Sequence, residues 1–246
     1  IVTHHGFDYD REKWGAVPRF MLKLGERAGV RFSNHMIVVS KVIQKSVQER
    51  FGVRTSVVPN GVVLPPLSGT AASLCGFGLT PRRYILQVSR FVPEKRQLDL
   101  LHAFTAAQLE GCKLVLVGRS GGRDRYSVQV RQLAAANPMV VLTGFQTGVH
   151  LDELYANAAG FVLPSSHEGL PIALLEALSY GLPTLASDIP ANLEVAAPEA
   201  RHFPVGDVPK LTQALSELYL HSWTREAADQ QRAWVAEHYD WRRITN

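Results

Sequence analysis

The stretch from Gly160 to Pro183 constrains the fold more than any other. Gly160-Phe161-Val162-Leu163-Pro164 is a short apolar run bounded by breakers, the pattern of a buried strand. A polar loop follows at once, Ser165-Ser166-His167-Glu168-Gly169, and then a helix with clear punctuation. Pro171 suits the first helical turn, where its missing N–H costs nothing. Gly181 suits the position just past the helix, and Pro183 blocks continuation. The order is therefore strand, polar loop, helix N-terminus. The free N–H groups at such a helix end, with their partial positive charge, make a natural anion site. Gly169 would let backbone approach a ligand closely.

Glu168 and Glu176 stand eight residues apart, one before the helix and one inside it. A carboxylate beside an anion site is no phosphate ligand, but it is well suited to accept hydrogen bonds from sugar hydroxyls. A grip on phosphate combined with a grip on hydroxyls suggests a nucleotide-sugar.

The rest of the chain repeats the same strand-and-helix alternation. Ile1 to Gly6 reads as a strand end and turn. Residues 17–33 carry Val17, Phe20, Met21, Leu24 and Ala28 at helical spacing with basic residues between. A strand over 35–40, a helix over 41–51 closed by Gly52 and a strand over 55–59 complete an α/β tail. Pro59-Asn60-Gly61-Val62, Pro65-Pro66 and Ser68-Gly69-Thr70 mark a linker, which puts a domain boundary near residue 65. A second series follows: strands over 83–88, 113–117, 140–142, 161–163 and 184–186, with helices over 97–108, 126–136 and 150–158 between them. Helices over 209–220 and 225–237 close the chain. Strands that read as continuous apolar runs predict a parallel sheet covered on both faces, with ligands at the carboxyl ends of its strands. Every polar loop named here lies at such an end.

Three of those loops carry further chemistry. Arg90 and Lys95 share one strand-to-helix loop, and two cations there suit a pyrophosphate. Gly118 and Thr143-Gly144-Phe145 end strands beside the same crevice, where base and ribose would lie. Gly118-Arg119-Ser120-Gly121-Gly122 is not G-x-G-x-x-G, and no P-loop motif is present, which argues against NAD binding and against a P-loop NTPase. Asp8-Tyr9-Asp10 has the form of a metal-binding triplet, but it follows the wrong motif, so no metal is expected. His4 and His5, adjacent in a strand, point to different sides and make a poor metal pair.

The 246 residues, 46% apolar and 20% charged, are those of an ordinary globular protein. No apolar run approaches the ~18 residues needed to cross a membrane. Cys75 and Cys112 have no metal-like spacing and suggest no disulfide framework, so a reducing cytosol is the simplest reading. The net charge is +4, and the excess lies at the front: residues 1–60 hold ten Lys and Arg against five Asp and Glu. That surface is either a solvated face or one that meets anionic lipid or a lipid-linked acceptor. Starting at Ile1, inside what reads as a strand, the chain looks like one that lacks a preceding portion.

The Glu168 to Glu176 stretch resembles the E-x7-E signature of retaining GT-B glycosyltransferases, in particular the group 1 (GT4-like) family. Three more segments are similar to that family and in order: Pro59-Asn60-Gly61-Val62 before the interdomain link, Ser89-Arg90 with Lys95, and Tyr239-Asp240-Trp241, where the family's last helix kinks back to the N-terminal half. The resemblance runs from His5 to Trp241. It implies two Rossmann-like domains with parallel sheets, the N-terminal one incomplete: residues 1–65 on the acceptor side, 66–224 for the donor and 225–246 crossing back. It implies sugar transfer from a nucleoside diphosphate donor to an acceptor hydroxyl, with retention and without metal or other cofactor.

By the same resemblance, Arg90 and Lys95 clamp the departing diphosphate, Glu168 with Gly169-Leu170-Pro171 faces the sugar and phosphates, and Glu176 holds the ribose hydroxyls. His5 faces the donor sugar from across the cleft, with Asp8, Arg11, Lys13 and Trp14 near the acceptor. The family's usual G-F-G is replaced by Gly169-Leu170-Pro171, and Pro171 removes one backbone donor. The expected setting is cytoplasmic, with peripheral contact at the inner face of the membrane, in cell-surface polysaccharide or glycolipid synthesis and without nucleic acid. A nucleotide-sugar epimerase of the same fold and a non-catalytic donor-binding subunit are the alternatives.

Overall fold

The computed structural model describes residues 1–6, 15–66, 70–119 and 124–245. Two parallel sheets organise them. The first holds β1 (Val2–His4), β2 (Met36–Val38) and β3 (Ser56–Val57), in that order, with α1 (Ala16–Phe32) and α2 (Lys41–Phe51) as the crossovers. Gly52 closes α2 in the left-handed conformation, as the sequence predicts.

After a 3-10 helix at Ala72–Phe77 the second sheet begins. Its strands are β4 (Tyr84–Val88), β5 (Lys113–Val117), β6 (Val140–Gly144), β7 (Gly160–Leu163), β8 (Thr184–Ser187) and β9 (Arg201–Phe203). The helices between them are α3 (Gln97–Ala107), α4 (Arg125–Ala135), α5 (Gly148–Ala156), α6 (Ile172–Ser179) and α7 (Pro190–Val195). Three more, α8 (Val208–Leu220), α9 (Arg225–His238) and α10 (Trp241–Ile244), end the chain. The expected elements agree with these to within two residues. Sequence reading missed β9, α7, α10 and the 3-10 helices at Ala72–Phe77 and Pro93–Lys95.

The strand order β6-β5-β4-β7-β8-β9 is all parallel. It is the doubly wound arrangement, in which winding starts at a central strand, proceeds one way and then reverses. The reversal lies between β4 and β7, and there the loops at the carboxyl ends separate and leave a crevice.

Side-chain alternation sorts the core into two layers. Tyr84, Leu86, Val115, Val117, Phe161 and Leu163 point to one face of the sheet and meet α5 and α6. Ile85, Leu114, Leu116, Val162 and Leu185 point to the other and meet α3, α4 and α8. Each such side chain stabilises the fold by about 1.5–3 kcal/mol on burial. The first layer continues without a break into Met36, Val38, Ile43 and Val47 of the smaller unit, so the two units share one apolar core.

α6 begins at Ile172, one residue later than the sequence suggests. Pro171 sits just outside it, and its carbonyl accepts from the N–H groups of Leu174 and Leu175. At the other end Gly181 N–H donates to Leu178 O (2.9 Å) and Leu182 N–H to Ala177 O (3.2 Å), the paired cap expected of a glycine there. The chain finally returns to the linker. Val62 N–H donates to Tyr239 O (2.8 Å), Trp241 N–H to Val62 O (3.3 Å), and Arg232 reaches Pro65 O (2.9 Å).

Candidate functional site

The loops after β4 and β7 meet at the reversal point. Ser166 N–H donates to Glu94 O (2.9 Å) and ties them together. Lys95 Nζ lies 2.5 Å from Glu168 Oε1, and both side chains are largely buried. A cavity of about 360 Å³ opens beside this pair, lined by His5, Asn60, Ser89, Arg90, Lys95, Glu168, Gly169, Leu170, Pro171, Ile172 and Ala173. Seven sequence-predicted residues, from three distant segments, thus line one cavity. The first-turn N–H groups of Ile172 and Ala173 have no helical acceptor and stand at its wall. Arg90 makes no ion pair among the described residues, so it supplies the uncompensated positive charge. Lys95 and Glu168 were expected to work apart, one on phosphate and one on sugar. Here each holds the other.

A second cavity, of about 550 Å³, shares Val88, Ser89 and Arg90 with the first and adds Gly118, Arg119, Phe145, Gln146, Leu151 and Glu176. The Arg119 guanidinium lies 5.0 Å over the Phe145 ring, a cation–π pair on an otherwise exposed phenyl. Gly118 has φ +143°, and any Cβ there would collide with the Ser89 backbone oxygen. Only glycine permits this approach of β4 and β5 at their ends. Thr143 and Gly144 do not line the cavity. They build its back wall: Gly144 O accepts from Gly118 N–H (2.9 Å), and Thr143 O accepts from Gln146 Nε2 (2.7 Å).

A third cavity, of about 440 Å³, runs past Asn60, Asp152, Tyr155, Ile172, Glu176, Tyr180 and Trp241. Glu176 belongs to the second and third, Asn60 and Ile172 to the first and third, so the three form one crevice. Burial pushes the Glu176 carboxyl above its usual range and Asp152 adds to this, while a hydrogen bond from Tyr155 opposes it.

The facing wall comes from the smaller sheet. Its adjacent histidines do different work. His5 lines the first cavity. His4 points back: Nδ1 accepts from Gly6 N–H (3.3 Å) and Nε2 meets Glu26 (3.0 Å), which in turn pairs with Arg50 (3.1 Å). An acceptor at Nδ1 puts the proton on Nε2. Gly169 has an unexpected use. A Cβ there would run into the carbonyl oxygen of His5, so its missing side chain admits the opposite wall as well as any ligand.

A second tether is Glu194 of α7. Its carboxylate accepts from the N–H groups of Lys41 (2.5 Å) and Val42 (2.9 Å) at the start of α2. Ser40 Oγ takes Ile43 N–H (3.2 Å), so the three first-turn donors of that helix end are satisfied, and the regular ladder starts with Gln44 N–H on Ser40 O (3.0 Å).

Sequence reasoning missed Arg119 and Tyr155 as parts of the site and Glu194 as a tether of its facing wall, named Ser89 only within the motif it shares with Arg90 and Lys95, and took Asn60 only as linker. Asp8, Asp10, Arg11, Lys13 and Trp14 lie outside the described residues. No described helix is long and apolar enough to cross a membrane.

The model of the family "Glycosyl transferases group 1" matches residues 78–233. The chain belongs to that family. A curated relative is the glycosyltransferase TuaC of Bacillus subtilis, named for teichuronic acid biosynthesis, 28% identical over 98% of this chain and 60% of its own length. Another is O-antigen chain mannosyltransferase B of Escherichia coli, 28% identical over 66% of this chain and 43% of its own length. The chain therefore spans about 60% or less of these relatives. Among solved structures, Anabaena Alr3699/HepE in complex with UDP and glucose superposes with a TM-score of 0.83 at 19% identity, over 98% of this chain and 68% of that one. Sucrose-phosphate synthase from Thermosynechococcus elongatus gives 0.80 at 22%, over 99% and 64%. The fold is that of the GT-B glycosyltransferases, here as a partial pair of Rossmann-like domains.

Proposed function

We propose that this chain carries the donor-binding half, and part of the acceptor-side half, of a glycosyltransferase. It moves a sugar with retention from a nucleoside diphosphate to an acceptor hydroxyl in cell-surface polysaccharide or glycolipid synthesis. The observation that carries this reading is the convergence of Arg90, the Lys95–Glu168 pair and the open end of α6 on one cavity at the reversal point, with Glu176 in the next. Residues 1–65 then form the acceptor side, 66–224 the donor unit and 225–246 the returning segment. The family relationship supports transfer. The relatives named for polysaccharides, and the Anabaena structures with UDP or UDP-glucose, support a nucleotide-sugar donor.

The chemistry follows from charge. As the glycosidic bond lengthens, negative charge gathers on the leaving diphosphate. Arg90, Lys95 and the free N–H groups of Ile172 and Ala173 are aimed at that charge before it forms, which is where preorganised donors lower a barrier. Glu168 holds Lys95 and accepts from donor-sugar hydroxyls, and Gly169 and Leu170 form the floor beside them. Glu176 takes the ribose. Phe145 and Gly118 bound the space for the base, with Thr143 and Gly144 behind. His5 closes over the sugar from the facing wall. The leaving phosphate takes the acceptor proton, so no general base, metal or other cofactor enters the scheme. α1 exposes Val17, Phe20, Met21 and Leu24 among Arg19, Lys23, Arg27 and Arg31, which suits peripheral contact with an anionic membrane surface on the cytoplasmic side.

A thermal-shift panel of UDP-, GDP-, ADP- and dTDP-sugars tests the donor site, and stabilisation by at least one is expected. If none raises the melting temperature, the assignment is wrong. Release of an epimerised nucleotide-sugar without acceptor would replace transfer by epimerisation. Co-sedimentation with vesicles containing phosphatidylglycerol, compared with neutral vesicles, tests the surface role of α1.

A further inference from the structure

We propose that Tyr155 is a positioning residue. It holds one oxygen of the Glu176 carboxylate so that the other is presented to a vicinal pair of hydroxyls on the bound nucleotide. This rests on the donor-site reading above.

Tyr155 is fully buried on α5 and its ring is locked in place. It stacks on Tyr180 (5.3 Å between centroids, 10° between planes) and packs tilted against Phe161 (5.9 Å). Its hydroxyl lies 2.9 Å from Glu176 Oε2 and 3.4 Å from the carbonyl oxygen of Ala173. A phenol has one proton to give, and the nearer, charged acceptor takes it. Burial and the neighbouring carboxylate keep the phenol from ionising, so it remains a donor.

Glu176 lines two of the joined cavities. The oxygen that Tyr155 leaves free has lone pairs for two O–H donors, the demand of a cis-diol. The ligand chemistry selected is therefore a ribonucleotide over its 2′-deoxy counterpart. A protonated Glu176 would be a donor itself, and the phenol could then turn to the Ala173 carbonyl, so the diol site exists only with the carboxylate ionised.

The other groups that face Glu176 are few. Asp152 comes from α5, Arg90 and Arg119 from the loops after β4 and β5, and Tyr180 from its own helix. Arg232 of α9 is engaged with Ser179 O (2.5 Å) and Pro65 O (2.9 Å). Of these, only Tyr155 has a hydrogen bond to the Glu176 carboxylate among the described residues.

The test is calorimetric titration of the whole chain with UDP, GDP and ADP and their 2′-deoxy forms between pH 5 and 8. The wild type, Tyr155→Phe, Glu176→Gln and the double variant are compared. The wild type should prefer the ribonucleotide, and Tyr155→Phe should bind it about tenfold more weakly at pH 7. Its loss of binding in acid should begin at higher pH, because the hydrogen bond that favours the ionised carboxyl is gone. Glu176→Gln should flatten the pH profile, and adding Tyr155→Phe to it should cause no further loss. Wild-type affinity and pH profile in Tyr155→Phe would overturn the assignment, as would independent, additive losses in the double variant. So would a Tyr155→Phe chain that no longer folds, which would make the phenol structural. A wild-type chain that binds none of these nucleotides defeats the donor-site reading itself.

Discussion

The two walls of the crevice are held by different means. The wall from the six-stranded sheet is rooted in a core with helices on both faces, and its central strands β4, β5, β7 and β8 are buried along nearly their whole length. The wall from the three-stranded sheet has strands of two or three residues, and α1 fully buries none of its 17 residues. What fixes it is borrowed. Gly169 admits His5, Glu194 caps α2, and Val62 pairs with the Tyr239 to Trp241 segment. A site built this way has one wall set by its own core and one set by contacts with the other. The same contacts control both stability and cleft geometry.

The strongest way to break this contrast is to remove charge from the rooted wall. Lys95→Ala leaves Glu168 largely buried without its cation, and should destabilise the larger unit by about 3 kcal/mol. It should also abolish nucleotide-sugar binding within the range of calorimetry. Denaturant unfolding and titration separate the two effects. Lys95→Met combined with Glu168→Leu should recover much of the stability and none of the binding. Recovered binding would mean that the pair is only structural.

The next effect belongs to the borrowed wall. Gly169→Ala forces a methyl group into the His5 backbone and should cost about 2 kcal/mol. Amide exchange should quicken in β1 and α2 and stay unchanged in β4 and β7. Equal change in all four would show that the walls unfold as one. Glu194→Ala should be milder, about 1 kcal/mol, the loss of a helix cap. Faster exchange at Lys41 and Val42 is its expected signature, and unaltered exchange there would remove Glu194 from the list of tethers.

The smallest effect is a difference in pH response between two carboxylates. Ser73 and Thr70 hold the Glu153 carboxyl down, to about 2. Its stabilising contribution is therefore present above the ordinary value of 4.5 and lost as pH falls towards 2. Glu176 has the opposite sign. Its carboxyl is raised by burial, so its contribution is present in acid, below 4.5, and is lost as pH rises through the folded value. Glu176→Gln should thus melt higher than wild type at pH 7, with the gap closing in acid, whereas Glu153→Gln should melt lower at pH 7. Melting curves across pH 3 to 7 check both signs.

Most elements were legible because their signals are local. Phe161-Val162-Leu163 alternates into both core layers, and Gly181 and Pro183 punctuate α6 as they do in sequence. β9 escaped because Arg201-His202-Phe203 offers one buried apolar residue, and α7 because six residues between Pro190 and Val195 are too few for periodicity to register. Arg90, Lys95 and Glu168 could be named from their places at strand ends. Tyr155 and Glu194 carried no local signal, because their partners lie on other elements.

By itself, the sequence determined the alternation of strand and helix, the caps, and which loops carry cations, carboxylates and glycines, since each depends on neighbours a few residues away. Only the tertiary structure decided that β4 and β7 lie side by side, that Lys95 and Glu168 hold each other and that Glu176 is buried against Tyr155. It also decided that Gly169 makes room for His5. Strand order, burial and pairing across segments arise from long-range packing, which no local pattern encodes.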